Sequence, residues 1–456
     1  MLMSRYFLFV SIILSFALNG FCAGSPVPGG DEYVSQPWQP ARGLQMIKIF
    51  NLDGGPPSPG GMWSSRARHP YSHLREEYEE RTRRLPELVA EERESDVYLT
   101  PPEALSPVRR HPAKPRIIGS FSGGGIKGLL SAAAVRSICE ESDVAFDGLF
   151  DATGGTSIGS FLAAIGAGYS EMSAEDCVNL FMKEGHTIFP PSRWNKFISL
   201  GGFAAPVYPR KPLDDILLRN FGTKKLSEGK IPFSAVSVLQ YQDPHGFWGK
   251  PVAKVFNQLE ALGNPILDTE VRHALAASSA APSYFRSPEW DYAGKRARAM
   301  DGALVANSPD NEVLLSAREH YGTLGEKDIV LLFRTGHLDP KLAKAPGFVT
   351  RVLNRFSPFR QGGLYEHAGS VFHSFMDTGL AEANARRLAI SMGVQQENIF
   401  TFDAILSDSD MARVDDDFLQ ELEEKGAASV TSMRHEDKSR LFEAIRKRAE
   451  IGEDEV

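Results

Sequence analysis

Ile117-Ile118-Gly119-Ser120-Phe121-Ser122-Gly123-Gly124-Gly125-Ile126-Lys127-Gly128 is the stretch on which the fold turns. Its first five residues form a short apolar run that reads as a buried strand. A glycine cluster follows, then Leu129, Leu130, Ala133, Val135 and Ile138 mark a helix. Further along, Phe146–Thr153 reads as a second strand and Ile158–Ala167 as a second helix. Phe233–Leu239, Val252–Phe256 and Ile329–Phe333 read as strands. Val271–Ala277, Asp310–His320 and Thr378–Met392 read as helices. This alternation predicts an α/β fold with a mostly parallel central sheet flanked by helices, running from about residue 116 to 405.

Outside that region the character changes. Residues 24–115 read as an irregular arm: Pro and Gly cluster at Gly54–Gly61 and Pro101–Pro112, and Tyr71–Ser95 is dense in Glu and Arg. The arm reads as a solvated helix between breaks or as a protein-binding segment. After Ser407 charge dominates and apolar positions are sparse, which predicts a peripheral, charged helical tail over 406–456. At the N-terminus Arg5 precedes an apolar run from Tyr6 to Leu18, followed by the small residues Ala23 and Gly24. That order is the pattern of a secretory signal over residues 1–23. Residues 6–18 retained as a membrane anchor is the alternative, although the run is shorter than the roughly 20 residues of a full span.

A formal net charge of -8 speaks against nucleic-acid binding. The three cysteines, Cys22, Cys139 and Cys177, supply neither metal-ligand spacing nor a dense disulfide framework. Cys139 and Cys177 read as small buried residues rather than a pair. No metal or other cofactor is called for.

Three sites carry possible chemistry. Gly123-Gly124-Gly125-Ile126-Lys127-Gly128 lies between a strand and a helix. Glycines there let main-chain N–H groups crowd against a ligand, and the helix N-terminus adds positive potential. Such a loop suits a phosphate, a developing oxyanion or a plain tight turn. It lacks the Lys-Ser/Thr pair of a nucleotide-binding loop. Gly155-Thr156-Ser157-Ile158-Gly159 is the chain's G-x-S-x-G, placed where a nucleophile elbow must sit; an ordinary helix N-cap serine is the bland alternative. Asp301-Gly302-Ala303 follows a predicted strand and, taken alone, reads as a turn.

Taken together, and in this order, GGGIKG, GTSIG and DGA resemble the patatin-like phospholipases. The segment Ala277-Ser278-Ser279-Ala280-Ala281-Pro282 with Tyr284-Phe285 fits the same family, and the resemblance covers about Arg116 to Phe402. It implies a Ser–Asp dyad: Ser157 attacks an ester carbonyl and Asp301 accepts its proton. It also implies an oxyanion hole from Gly123, Gly124 and Gly125, chiefly the latter two, with Lys127, Gly128, Gly155, Gly159 and Gly302 as motif residues. Lys127 either brings positive charge toward a lipid phosphate or the oxyanion, or points to solvent or a carboxylate.

The implied activity is acyl-ester hydrolysis of glycerolipids at a membrane or micelle, of the phospholipase A or lysophospholipase type. The chemical rival is a Ser-His-Asp esterase using His337, His367 or His373. The non-catalytic rival is an exported lipid- or protein-binding effector. The stretch from Ile188-Phe189-Pro190 to Phe203-Ala204-Ala205-Pro206, with Trp194, Phe197, Ile198 and Leu200, reads as a packed connection or an interfacial lid.

Overall fold

The computed structural model describes residues 114–190, 206–338 and 379–453, all within the unit Arg93–Val456. The signal, nearly all of the arm, the lid candidates Trp194 to Leu200, and His367 and His373 lie outside the described residues. In chain order the elements are β1 (Ile117–Phe121), α1 (Gly128–Ser142), α2 (Phe146–Leu149), β2 (Ala152–Thr156), α3 (Ile158–Gly166) and α4 (Ala174–Ile188). Next come α5 (Lys211–Phe221), β3 (Phe233–Tyr241), β4 (Val252–Asn257), α6 (Gln258–Gly263), α7 (Val271–Ser278), β5 (Glu289–Tyr292) and β6 (Lys295–Asp301). The rest are α8 (Ala303–Ala306), α9 (Asp310–Tyr321), β7 (Ile329–Phe333), β8 (His337–Leu338), α10 (Gly379–Ser391), β9 (Ile399–Phe402), β10 (Ile405–Leu406), α11 (Asp416–Thr431) and α12 (His435–Glu453).

The expected α/β architecture is present. β3, β2, β1, β7 and β9 lie side by side and parallel, while β4, β5 and β6 add antiparallel pairings at the β3 end. Side chains alternate between faces along a strand, and the strands sort accordingly. Ile117 and Phe121 of β1 join Ile329, Leu331 and Phe333 of β7 in the larger core. Ile118, Val330 and Leu332 face a smaller core closed by Val313, Leu314 and Ala317 of α9 and by Ala385 and Ala389 of α10. Phe121 stacks on Phe333 at 4.5 Å between centroids, and Phe333 on Phe402 at 5.0 Å, so one aromatic column ties β1, β7 and β9.

One edge of β3 decides where the chemistry sits. β4 pairs with β3 from Ser234 to Leu239 and fills one side. β2 must therefore use the opposite side, over Phe233–Val236, and β6 takes up that same side from Ser237 to Tyr241. β2 and β6 run in opposite directions, so their ends meet along a shared edge.

Two expectations need correction. Phe146–Thr153 is not one strand: Phe146–Leu149 forms a helical turn, and β2 begins only at Ala152. Between them the Asp151 carboxylate accepts the Ile117 N–H at 2.9 Å, which breaks the run at a side-chain bond. The strand then extends through Gly154 and Gly155, whose bare Cα atoms admit neighbours that a side chain would exclude.

The C-terminal tail is helical but not peripheral. Phe418, Leu419, Leu422 and Val430 of α11 are buried in the larger core. A Cβ on Gly426 would stand 2.3 Å from the Leu130 carbonyl oxygen, so α11 crosses α1 at van der Waals closeness. Arg448 of α12 bonds the Asp151 carboxylate at 2.7 Å and the carbonyls of Gly148 and Phe150, tying the end of the chain to the start of β2. Cys139 and Cys177 are unpaired thiols, the second fully buried.

Candidate active site

Ser157 sits in the sharp turn between β2 and α3, at φ 54 and ψ -125. A positive φ is strained for a residue with a Cβ and costs on the order of 1–3 kcal/mol. The surroundings hold it there. Its N–H donates to the Ser278 hydroxyl at 2.8 Å, and that hydroxyl donates to the Val236 carbonyl at 2.6 Å. Its carbonyl accepts from the Ser160 hydroxyl at 2.6 Å. The flanking glycines are a packing necessity. A Cβ on Gly155 would fall 2.1 Å from the Gly159 backbone, and one on Gly159 would fall 2.2 Å from the Phe121 carbonyl oxygen.

Asp301 ends β6 opposite Ser237, one register step beyond the pairing of Thr156 with Val236. The abutting strands thus bring the carboxylate to the elbow, close enough for the Ser157 hydroxyl to favour its charged form. The carboxylate also accepts the Ala303 N–H at 2.8 Å. Burial pushes the Asp301 pKa up to about 7, against the pull of the Ala303 N–H, the Ser157 hydroxyl and the positive charge of Arg210. Arg210 is itself held by Asp214 at 2.9 Å and by the Ala276 carbonyl at 2.7 Å. Gly302 keeps the chain flat against β3, where a Cβ would meet the Val236 oxygen at 2.2 Å. Ser278 also ties the two halves together, because its carbonyl accepts the Gly302 N–H at 3.2 Å.

The glycine loop divides. Gly124 and Gly125 line the pocket beside Ser157, and their N–H groups have no backbone acceptor among the described residues. Gly123 departs from the expected donor role: its N–H is spent on the Asn307 carbonyl at 2.9 Å. Its own carbonyl accepts from the Thr335 hydroxyl at 2.8 Å. Gly125 adopts φ +59, and a Cβ there would strike the Met411 carbonyl oxygen at 2.4 Å. The same carbonyl accepts the Ile126 N–H at 2.9 Å, so the segment before α11 clamps the loop. Gly128 lets α1 close on Ile158.

Lys127 is buried and does not line the pocket. Burial lowers its pKa, resisted by the charges of Asp403, Asp408 and Asp410. It faces carboxylates of the C-terminal segment rather than solvent. His337 is exposed, bonds to Asp403 at 3.0 Å and does not line the pocket.

The pocket walls are apolar, with Ile158, Phe161, Phe181, Leu217, Leu275 and Phe285 around the hydroxyl and the carboxylate. A hydrocarbon chain fits such walls. Among the described residues no group of three or more His, Cys, Asp or Glu side chains is placed to hold a metal ion. Sequence reading missed Arg210, Asn307 and Met411. Ser278 had been noticed only as part of a resembling stretch.

Residues 119–313 match the family described as patatin-like phospholipase. The 85/88 kDa calcium-independent phospholipase A2 of Rattus norvegicus is 28% identical over 212 residues, covering 44% of this chain and 23% of the rat protein. Patatin-like protein 4 of Arabidopsis thaliana is 25% identical over 209 residues, covering 42% of this chain and 49% of the plant protein. The chain thus spans less than half the length of either relative. The crystal structure of the type III effector protein ExoU aligns at TM-score 0.28 with 14% identity, covering 73% of this chain and 53% of that one.

Proposed function

We propose that this protein is a serine lipid acyl hydrolase that cleaves fatty-acyl esters of glycerolipids through an acyl-enzyme on Ser157, with Asp301 as the proton acceptor. The observation that carries this reading is the buried Asp301 carboxylate, brought by strand register to Ser157 in a shared, largely apolar pocket. A carboxylate at its usual pKa of about 3.9 is a weak base toward an alcohol. One raised to about 7 stays ionised above neutrality and is a better match for the proton it must take.

In this scheme the acyl chain lies along Phe161, Phe181 and Leu217, and the ester carbonyl carbon comes to Ser157. Ser157 Oγ attacks as its proton passes to Asp301. The oxyanion forms against the Gly124 and Gly125 N–H groups, each of which is worth about 2.7–4 kcal/mol of barrier in sites of this kind. Asp301 then protonates the leaving alcohol, and water repeats the cycle in reverse. The name of the rat relative, a phospholipase A2, supports the phospholipase A class, and lysophospholipids are the second substrate class of the proposal. The substrate is a membrane or micellar lipid, and export directed by residues 1–23 is part of the proposal.

The test is to incubate the wild type, Ser157→Ala and Asp301→Asn with mixed glycerolipids and identify released fatty acids by mass spectrometry. Release by the wild type alone supports the reading. Equal release by all three, or none from long-chain phospholipids and short aryl esters alike, rejects it. Recovery of exported protein beginning near Ala23 tests the signal.

A further inference from the structure

Asn307 lies in the turn between α8 and α9 and is 5% exposed. Its main-chain carbonyl holds the Gly123 N–H, and its side-chain Nδ2 lies 3.4 Å from the Gly123 carbonyl oxygen. That contact fixes the sense of the amide, since the reverse would press two carbonyl-type oxygens together. Oδ1 is the end left over, and it has no hydrogen-bond partner among the described residues.

The buried side-chain atoms without such a partner belong to Arg210, Ser234, Trp290, Asn307, Asn311 and Arg334. Of these residues only Asn307 lines the pocket with Ser157, Gly124 and Asp301. The place a Cβ would take on Gly123 is 2.5 Å from Asn307 Oδ1 and 3.3 Å from Ser157 Cβ. The unmet acceptor therefore stands across the bare face of Gly123 from the nucleophile. A buried acceptor is costly to leave without a donor, and each such group in a native structure calls for an explanation.

The reaction offers few donors. The acyl chain has none, and the ester carbonyl is itself an acceptor. Once Ser157 is acylated its hydroxyl proton is gone. The attacking water has two O–H groups, and the site offers them the Asp301 carboxylate and the unmet Asn307 Oδ1 as acceptors.

We infer that Asn307 is a further catalytic residue, whose Oδ1 accepts a hydrogen bond from the water that hydrolyses the acyl-enzyme; this rests on the Ser157–Asp301 reading above. The water oxygen bonds to the acyl carbonyl carbon while one of its protons passes to Asp301. The other proton stays bonded toward Asn307, which exchanges none. The tetrahedral adduct then collapses: the bond from carbon to Ser157 Oγ breaks, Asp301 returns its proton to Oγ, and the fatty acid leaves. In the acylation half the same position holds the lipid alcohol oxygen, which carries carbon in place of the second proton. Asn307 thus acts in deacylation only.

The experiment is stopped-flow hydrolysis of a p-nitrophenyl fatty-acyl ester by wild type, Asn307→Ala and Asn307→Val. The burst reports acylation, the linear phase reports deacylation, and intact mass reports the adduct. For whichever variant keeps the wild-type circular dichroism, the expected burst rate stays within about twofold, and the linear phase slows roughly tenfold, the size of one hydrogen bond. The acyl adduct accumulates. Added methanol, with one O–H, is a nucleophile indifferent to Asn307, so the ratio of methanolysis to hydrolysis rises by a similar factor. A merely structural role would leave that ratio unchanged. An unchanged ratio, burst and linear rates falling together, or loss of fold in both variants overturns the inference. Absence of any Ser157 adduct in the wild type instead overturns the dyad reading on which it stands.

Discussion

Ser157 and Asp301 stand at the facing ends of two strands that share one edge of β3, so hydroxyl and carboxylate meet where β2 stops and β6 arrives. Their separation of well over a hundred residues in the chain is closed by a single register. The Ser278 hydroxyl on the Ser157 N–H and the Ser278 carbonyl on the Gly302 N–H lock that register.

Removing the lock gives the first prediction. Ser278→Ala leaves the Ser157 N–H and the Val236 carbonyl without their shared partner. An unmade buried hydrogen bond costs about 1–3 kcal/mol. Urea denaturation should show a loss of that size, and fluorophosphonate labelling of Ser157 should slow about tenfold or more. Unchanged labelling would mean that Ser278 does not hold the elbow.

In the proposed scheme Asp301 must be ionised to take a proton, so kcat/KM on a soluble ester should rise with pH through about 7 and level off above it. Stability moves the other way. In the folded state Asp301 holds its proton up to about 7, whereas in the unfolded chain it loses it near about 4. The folded state therefore binds more protons across that window, and its stability falls as pH rises through it. Asp301→Asn should flatten the activity profile near zero. Thermal melts above pH 7 should show it more stable than the wild type, by on the order of a kcal/mol or more. An Asn variant less stable than the wild type at pH 8 would argue against the raised pKa.

Gly125→Ala adds a methyl at φ +59, directly against the Met411 carbonyl oxygen. The loop must move and carry a donor away from the proposed oxyanion site. Losing one such donor lowers kcat by about 100- to 1,000-fold in comparable sites. Steady-state kinetics on an aryl ester should show that drop with little change in far-ultraviolet circular dichroism.

Beneath the loop, Arg334 and Asp310 form a buried ion pair at 2.7 Å that also engages the hydroxyls of Ser120 and Ser122. Arg334→Met leaves the Asp310 carboxylate buried and unpaired, which typically costs about 3–5 kcal/mol. Chemical denaturation should show that loss. Asp310→Leu added to Arg334→Met should recover a large part of it, since two apolar groups leave no charge to satisfy.

Much of the architecture was legible from hydrophobic pattern alone. β7 reads as an uninterrupted apolar run, and β1 as one broken only at Gly119-Ser120, because both of their faces are covered. The glycine loop and the elbow were legible because backbone crowding leaves glycine little substitute there. β2 was misjudged because its centre is Gly154-Gly155, which carries no hydrophobic signal, whereas Phe146 and Leu149 beside it supply that signal from a helical turn. The tail misled for a related reason. Phe418, Leu419, Leu422 and Val430 are few, yet all are buried, and Gly426 tightens the crossing in a way that composition hides. Arg210, Asn307 and Met411 were illegible because they reach the site through tertiary contacts. Met411 does so through its main-chain carbonyl, which no side-chain pattern can report.

The most direct measurement is peptide mapping of fluorophosphonate-treated protein together with the rate of adduct formation. The account predicts a single adduct on Ser157 and at least a 100-fold slower reaction in Asp301→Asn. It predicts near-wild-type labelling when His337, His367 and His373 are all changed to Gln. An adduct on another residue, or a histidine variant as inert as Ser157→Ala, would contradict it.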